Sequence, residues 1–161
     1  MNQQHVHTAL IALEGVRLAE LVDDYHDLLV EGDADDAGIA RLSPTPYPDD
    51  PEAARDFAEA TRHDLLARRI ADAEVVRSDL REFRSLADRL TDSEALRSTD
   101  VRIRHGDVDP WLRTLNGIRL VLATRLGVDH DGEHDSDDPR FGLYDWVGYR
   151  LELLIEAAGE P

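Results

Sequence analysis

Asn116, Arg119 and Arg125 lie within ten residues of one another, and Tyr144, Asp145 and Trp146 form a second cluster near the end of the chain. An amide, two guanidinium groups and a carboxylate, flanked by aromatic rings, are groups that hold a small anion or dock a partner. Asn116 and Arg119 are three apart and share a helical stripe with Leu112 and Ala123, so both are expected at a helix interface. An arginine there needs a carboxylate, because an unpaired buried charge is strongly destabilising, and Asp145 is the expected partner. The same set also reads as a buried hydrogen-bonded network that fixes helix register without any ligand. That structural reading is preferred.

Other chemistry is weaker. His5 and His7 stand at a terminus, and His130 and His134 are four apart among Asp129, Asp131, Glu133 and Asp135. Imidazole and carboxylate together ligate zinc or manganese, but a flexible acidic loop must be ordered to do so. No metal ligand or cofactor is assigned. Arg77, Arg81 and Arg84 line one side of a long helix, yet acids are interleaved with them and the helix carries a core stripe as well. Pairing with neighbouring acids is favoured over nucleic-acid contact. There is no Gly-rich phosphate loop, no His-Glu-x-x-His and no Gly-x-Ser-x-Gly, so no catalytic residue is assigned.

The elements that must position these groups are helical by period. A first helix is expected from about Val6 to Glu31, with Ile11, Leu18 and Tyr25 repeating every seven residues and Gly32 ending it. Pro44, Pro46, Pro48 and Pro51 make an extended stretch, after which Asp50 reads as an N-cap and Pro51 as the first helical residue. A short helix to about Ala60 is expected to give way, at the cap-like Thr61-x-x-Asp64, to a long one from Arg62 to Leu90. Asp64 and Arg68 form an attractive i,i+4 pair on it.

One helical turn is expected near Ser93–Arg97. Val101-Arg102-Ile103-Arg104 alternates like a strand but shows no partner. Asp109 and Pro110 start a central helix to Leu126, with Gly127 as its C-terminal stop. The last helix spans about Phe141 to Ala158, beyond an acidic loop 129–138 that is expected to be solvated and is open to disorder. The expected fold is all-α, a single domain over 1–161 built as a bundle of about five helices.

Composition narrows the function classes. The chain has 161 residues, 18 basic against 35 acidic side chains, no cysteine, and a formal charge of −17. Such a field repels a nucleic-acid duplex and an anionic membrane surface. Without cysteine there is no disulfide framework, thiolate nucleophile or thiolate-ligated metal. No apolar run approaches the ~18 residues of a membrane span. The N-terminus lacks a basic region ahead of an apolar run, so a cytoplasmic location is expected.

An ordered set of segments runs through nearly the whole chain. It comprises Tyr47-Pro48-Asp49-Asp50-Pro51-Glu52-Ala53-Ala54, Asp64-Leu65-x-Ala67-Arg68, Trp111-Leu112-Arg113-Thr114-Leu115-Asn116, Arg119-Leu120-Val121-Leu122, Thr124-Arg125-Leu126-Gly127 and Tyr144-Asp145-Trp146. In these the sequence resembles an actinobacterial family of uncharacterised helical proteins, the domain-of-unknown-function family numbered 2017. Gly117 and Ala123 depart from that family's usual Asp and Gly at those positions. The resemblance implies no chemistry. It does imply a gene neighbourhood with the substrate adaptor of the Clp protease, and some members carry a transcriptional-regulator label.

The resulting expectation is a non-enzymatic protein-interaction or accessory module, with the Clp adaptor or protease as a candidate partner. Its contact surface is expected at Tyr47, Asp49 and Asp50 and at the Tyr144–Trp146 edge. A transcriptional regulator and a metal- or small-anion-binding protein are the alternatives. The apolar stripes of the first and third helices leave a homodimer open beside a monomer.

Overall fold

A computed structural model describes residues 5–43, 46–128 and 133–159. Pro44, Thr45 and positions 129–132, with His130 among them, lie outside the described residues. The chain begins with a strand, β1 (His5–Ile11), and continues as helices α1 (Ala12–Glu31), α2 (Ala37–Arg41), α3 (Pro51–Asp79), α4 (Arg81–Leu86) and α5 (Asp92–Ala95). Strand β2 (Ser98–Arg104), α6 (Val108–Leu126) and α7 (Gly142–Gly159) complete it. The fold is mostly helical but not all-α, and it holds seven α-helices and two strands among the described residues.

The two strands correct the expected fold class. β1 pairs antiparallel with β2, with Val6 opposite Ile103 and Thr8 opposite Val101. Val6, Leu10, Val101 and Ile103 are buried, so alternate positions of both strands face the core. The partner missing for Val101–Arg104 was hidden in residues that read as the start of the first helix. That helix instead begins at Ala12, where Glu14 accepts a hydrogen bond from the Ile11 N–H at 3.3 Å.

α3 is also not where periodicity put it. It runs unbroken through Thr61, whose hydroxyl donates to the Phe57 carbonyl of its own helix at 2.8 Å instead of capping a new one. No Gly or Pro interrupts residues 52–79, so nothing stops the helix early. The expected long helix does break, at Leu80, and α4 ends at Leu86. That break buries Leu80 and Phe83 together, and the Phe83 ring lies where a Cβ on Gly15 would be. The Trp111 indole N–H donates to Asp79 at 2.8 Å and ties α6 to the last residue of α3.

Several local signals are met. Asp50 accepts from the Ala53 N–H at 3.1 Å, with Pro51 as the first residue of α3. Gly127 closes α6 in the left-handed region at φ 71°. α5 supplies the short turn, and Glu94 accepts from the Thr91 N–H at 3.3 Å. α6 starts at Val108 rather than Pro110, which then falls in the first turn, where its missing N–H has no intrahelical partner to lose. The Pro-rich stretch contains a turn, in which the Asp50 N–H donates to the Tyr47 carbonyl at 3.2 Å.

α6 packs against α1, α2, α3 and α7, while α7 also covers β1. Val22, Ala73, Val76, Leu80, Ile103 and Val147 are fully enclosed where these elements meet. Among the described residues no helix is long and apolar enough to cross a membrane.

Candidate functional site

The six residues expected to form one network are distributed over four places. Arg119 does not pair with Asp145. Its guanidinium lies 4.9 Å from the centre of the Tyr144 ring, and its Nε is buried with no hydrogen-bond partner among the described residues. Asp145 is instead 2.7 Å from His134 Nε2. The reason is rotation: consecutive helical residues diverge by about 100°, so when Tyr144 turns into the core under Arg119, Asp145 must turn away. His134 is held by Phe141 and Tyr144, with ring centres at 4.5 and 5.3 Å, while Glu133, Asp135 and Asp137 around it are exposed.

Arg125 ties the end of α6 to α2. Its guanidinium donates to both Asp36 oxygens, at 3.0 and 2.9 Å. Asp36 also caps α2 by accepting from the Gly38 and Ile39 N–H groups. Arg125, then the two backbone donors, hold the Asp36 carboxyl below the usual carboxylate range.

Trp146 belongs to a third cluster. Its indole N–H donates to Glu14 at 3.2 Å, and Arg150 donates to the other Glu14 oxygen at 2.6 Å and to the Ala9 carbonyl at 2.9 Å. Glu14 is thus the point where β1, α1 and α7 are joined. Nothing in the sequence marked it, because its partners lie 132 and 136 positions away.

The basic stripe is largely neutralised within the fold. Arg77 and Arg84 both donate to Asp23, while Arg81, the first residue of α4, donates to the Ser78 carbonyl near the end of α3. Among the described residues no three His, Asp or Glu side chains gather as a metal site. His5 and His7 lie on β1, where His7 is 2.6 Å from Asp100.

Asn116 faces outward into a cleft of about 560 Å³ between α3 and α6. Arg68, Arg69, Asp72 and Arg113 share its lining, a set that sequence reasoning did not assemble. Arg113 donates to both oxygens of Asp72, at 2.8 and 3.1 Å, and that bond raises the arginine's own pKa. Arg69 donates to the Leu42 carbonyl at 2.9 Å. Arg68 makes no ion pair among the described residues, so the expected Asp64–Arg68 pair is not formed. Beside Arg69, the Tyr25 phenol is pushed up chiefly by burial, with Asp72 adding to the shift and Arg69 opposing it.

Tyr47 is 46% exposed and meets Phe57, itself 38% exposed, edge to face at 6.1 Å. Asp49 is exposed beside it, while Asp50 is engaged in capping α3.

Fold and sites together define a helical protein with a two-stranded sheet, in which most of the polar groups expected to act together join separate pairs of elements. The chain belongs to the family described as a domain of unknown function, DUF2017, whose model matches residues 2–158. No curated protein and no solved structure matches it.

Proposed function

We propose that the protein is a non-enzymatic interaction module that presents the outer half of α3, with Tyr47 beside it, to a protein partner. One observation carries the reading. α3 has 29 residues, yet Leu66 and Ile70 are its first side chains packed on the core and Ala73 is its first fully buried one, so residues 51–64 form an arm with no fully enclosed residue. At ~1.5 Å per residue those 14 positions span roughly 21 Å. Near its tip Tyr47 and Phe57 offer two exposed rings in contact, the type of residue that anchors protein interfaces. Asp49 adds an exposed charge at the rim.

The Clp adaptor or protease is the partner to test first, and the family resemblance is the only reason for that choice. The regulator reading has less support, since Arg77 and Arg84 are already bound to Asp23.

The test is titration of the purified adaptor and protease against the native chain and against Tyr47→Ala and Phe57→Ala. Binding that weakens in both variants, at unchanged thermal midpoint, supports the arm. Equal binding by all three chains removes the arm as the contact surface, and no binding at all removes the Clp assignment.

A further inference from the structure

We propose that the cleft between α3 and α6 binds a small polyanion bearing phosphate or carboxylate groups, held by Arg68, Arg69 and Arg113 with Asn116 beside them. Three guanidinium groups converge there in a chain whose formal charge is −17. Guanidinium forks match the oxygens of phosphates and carboxylates in geometry as well as charge. The one carboxylate in the lining, Asp72, has both oxygens engaged by Arg113. Asp109 also acts on Arg113, from outside the lining.

The donors are not used up by the fold. An arginine carries five N–H donors. Arg113 commits its Nε and one terminal nitrogen to Asp72, leaving the other terminal nitrogen. Arg69 gives one terminal nitrogen to Leu42 and also acts on the buried Tyr25 hydroxyl, so it contributes mainly charge to the cleft. Arg68 and the Asn116 amide make no side-chain hydrogen bond among the described residues and both are exposed on the cleft. An oxyanion would supply the missing acceptors.

Size agrees. About 560 Å³ falls within the ~300–1,000 Å³ range of small-molecule sites. The cleft walls are tied into the fold: the Asp72–Arg113 bridge crosses from α3 to α6, and the Tyr25 hydroxyl lies where a Cβ on Gly117 of α6 would be.

No residue of the arm, 51–64, lines the cleft, so either proposal can fail alone. Calorimetric titration of the full chain with pyrophosphate and with citrate, at low and at physiological salt, tests it. Saturable one-to-one binding is expected, weakened at least about tenfold in Arg68→Gln and in Asn116→Ala. Arg140→Gln, which alters an arginine paired with Asp138 at another surface, should leave it unchanged. Both cleft variants replace exposed side chains, so the thermal midpoint should stay at the native value. Binding of pyrophosphate alone assigns phosphate, and binding of citrate alone assigns carboxylate. Silence with both probes overturns the proposal, as does binding that Arg68→Gln leaves intact or that Arg140→Gln weakens equally.

Discussion

Arg84 grips both carboxylate oxygens of Asp23 across 61 positions of sequence, each at 2.8 Å, and Arg77 shares one of those oxygens at 2.8 Å. The clamp joins α1 to α3 and α4 on either side of the break at Leu80. Two arginines that look like a basic stripe in sequence are thereby directed inward, onto one acid.

Asp23→Asn should lower stability by about 1–2 kcal/mol, since charged hydrogen bonds are lost from a site that is partly open to solvent. Burial pushes the Asp23 pKa up, but Arg84 and Arg77 outweigh it and hold the carboxyl below the usual range. A depressed folded pKa contributes stability that is fully present above the usual carboxylate range. That contribution is lost as pH falls through the folded value. Urea unfolding of both chains should therefore show a gap at neutral pH that closes in acid. A gap of equal size at low pH would contradict the clamp.

Gly117→Ala should cost about 1–3 kcal/mol, because its Cβ would overlap the Tyr25 hydroxyl. Removing that hydroxyl in Tyr25→Phe should make the Gly117→Ala cost smaller. A double-mutant cycle by thermal unfolding measures the difference, and strict additivity would argue against the contact.

Ile103→Ala should destabilise by about 2–5 kcal/mol, as expected for truncating a fully enclosed side chain. Hydrogen exchange should also find slowly exchanging amides in both β1 and β2. Fast exchange throughout residues 5–11 would be incompatible with the pairing.

Trp146→Phe keeps an aromatic ring, though a smaller one, and loses the donor to Glu14, so a loss of about 1 kcal/mol or more is expected. Tyr47→Ala, by contrast, should leave the unfolding midpoint in place, because nearly half the side chain is already exposed. Equal destabilisation by the two changes would remove the contrast between a structural Trp146 and a surface Tyr47.

Much of the helical framework was legible. Asp50 with Pro51 and the two stops Gly32 and Gly127 act on backbone groups within four residues of themselves, so the sequence shows them directly. The stripe Ala73, Val76, Leu80 and Phe83 was also readable, although its bend was not, because the bend depends on Gly15 of another helix. β1 was misread because Val6, Leu10 and Ile11 also fit a helical period, and only a partner strand far along the chain, Ser98–Arg104, decides between the two.

The candidate site divides in the same way. Sequence alone determined that Asn116, Arg119 and Arg125 share one helix, that Asp50 caps another, and that the chain is strongly acidic, since these follow from local spacing and composition. The tertiary structure decided which acid each arginine meets. Arg125 found Asp36 at a separation of 89 positions, Arg113 found Asp72 at 41, and Arg119 came to rest on Tyr144. Hydrogen-bond partners are chosen by the angle at which packed helices cross and by which face each buries, and a period of 3.6 residues carries no information about a neighbour's rotation.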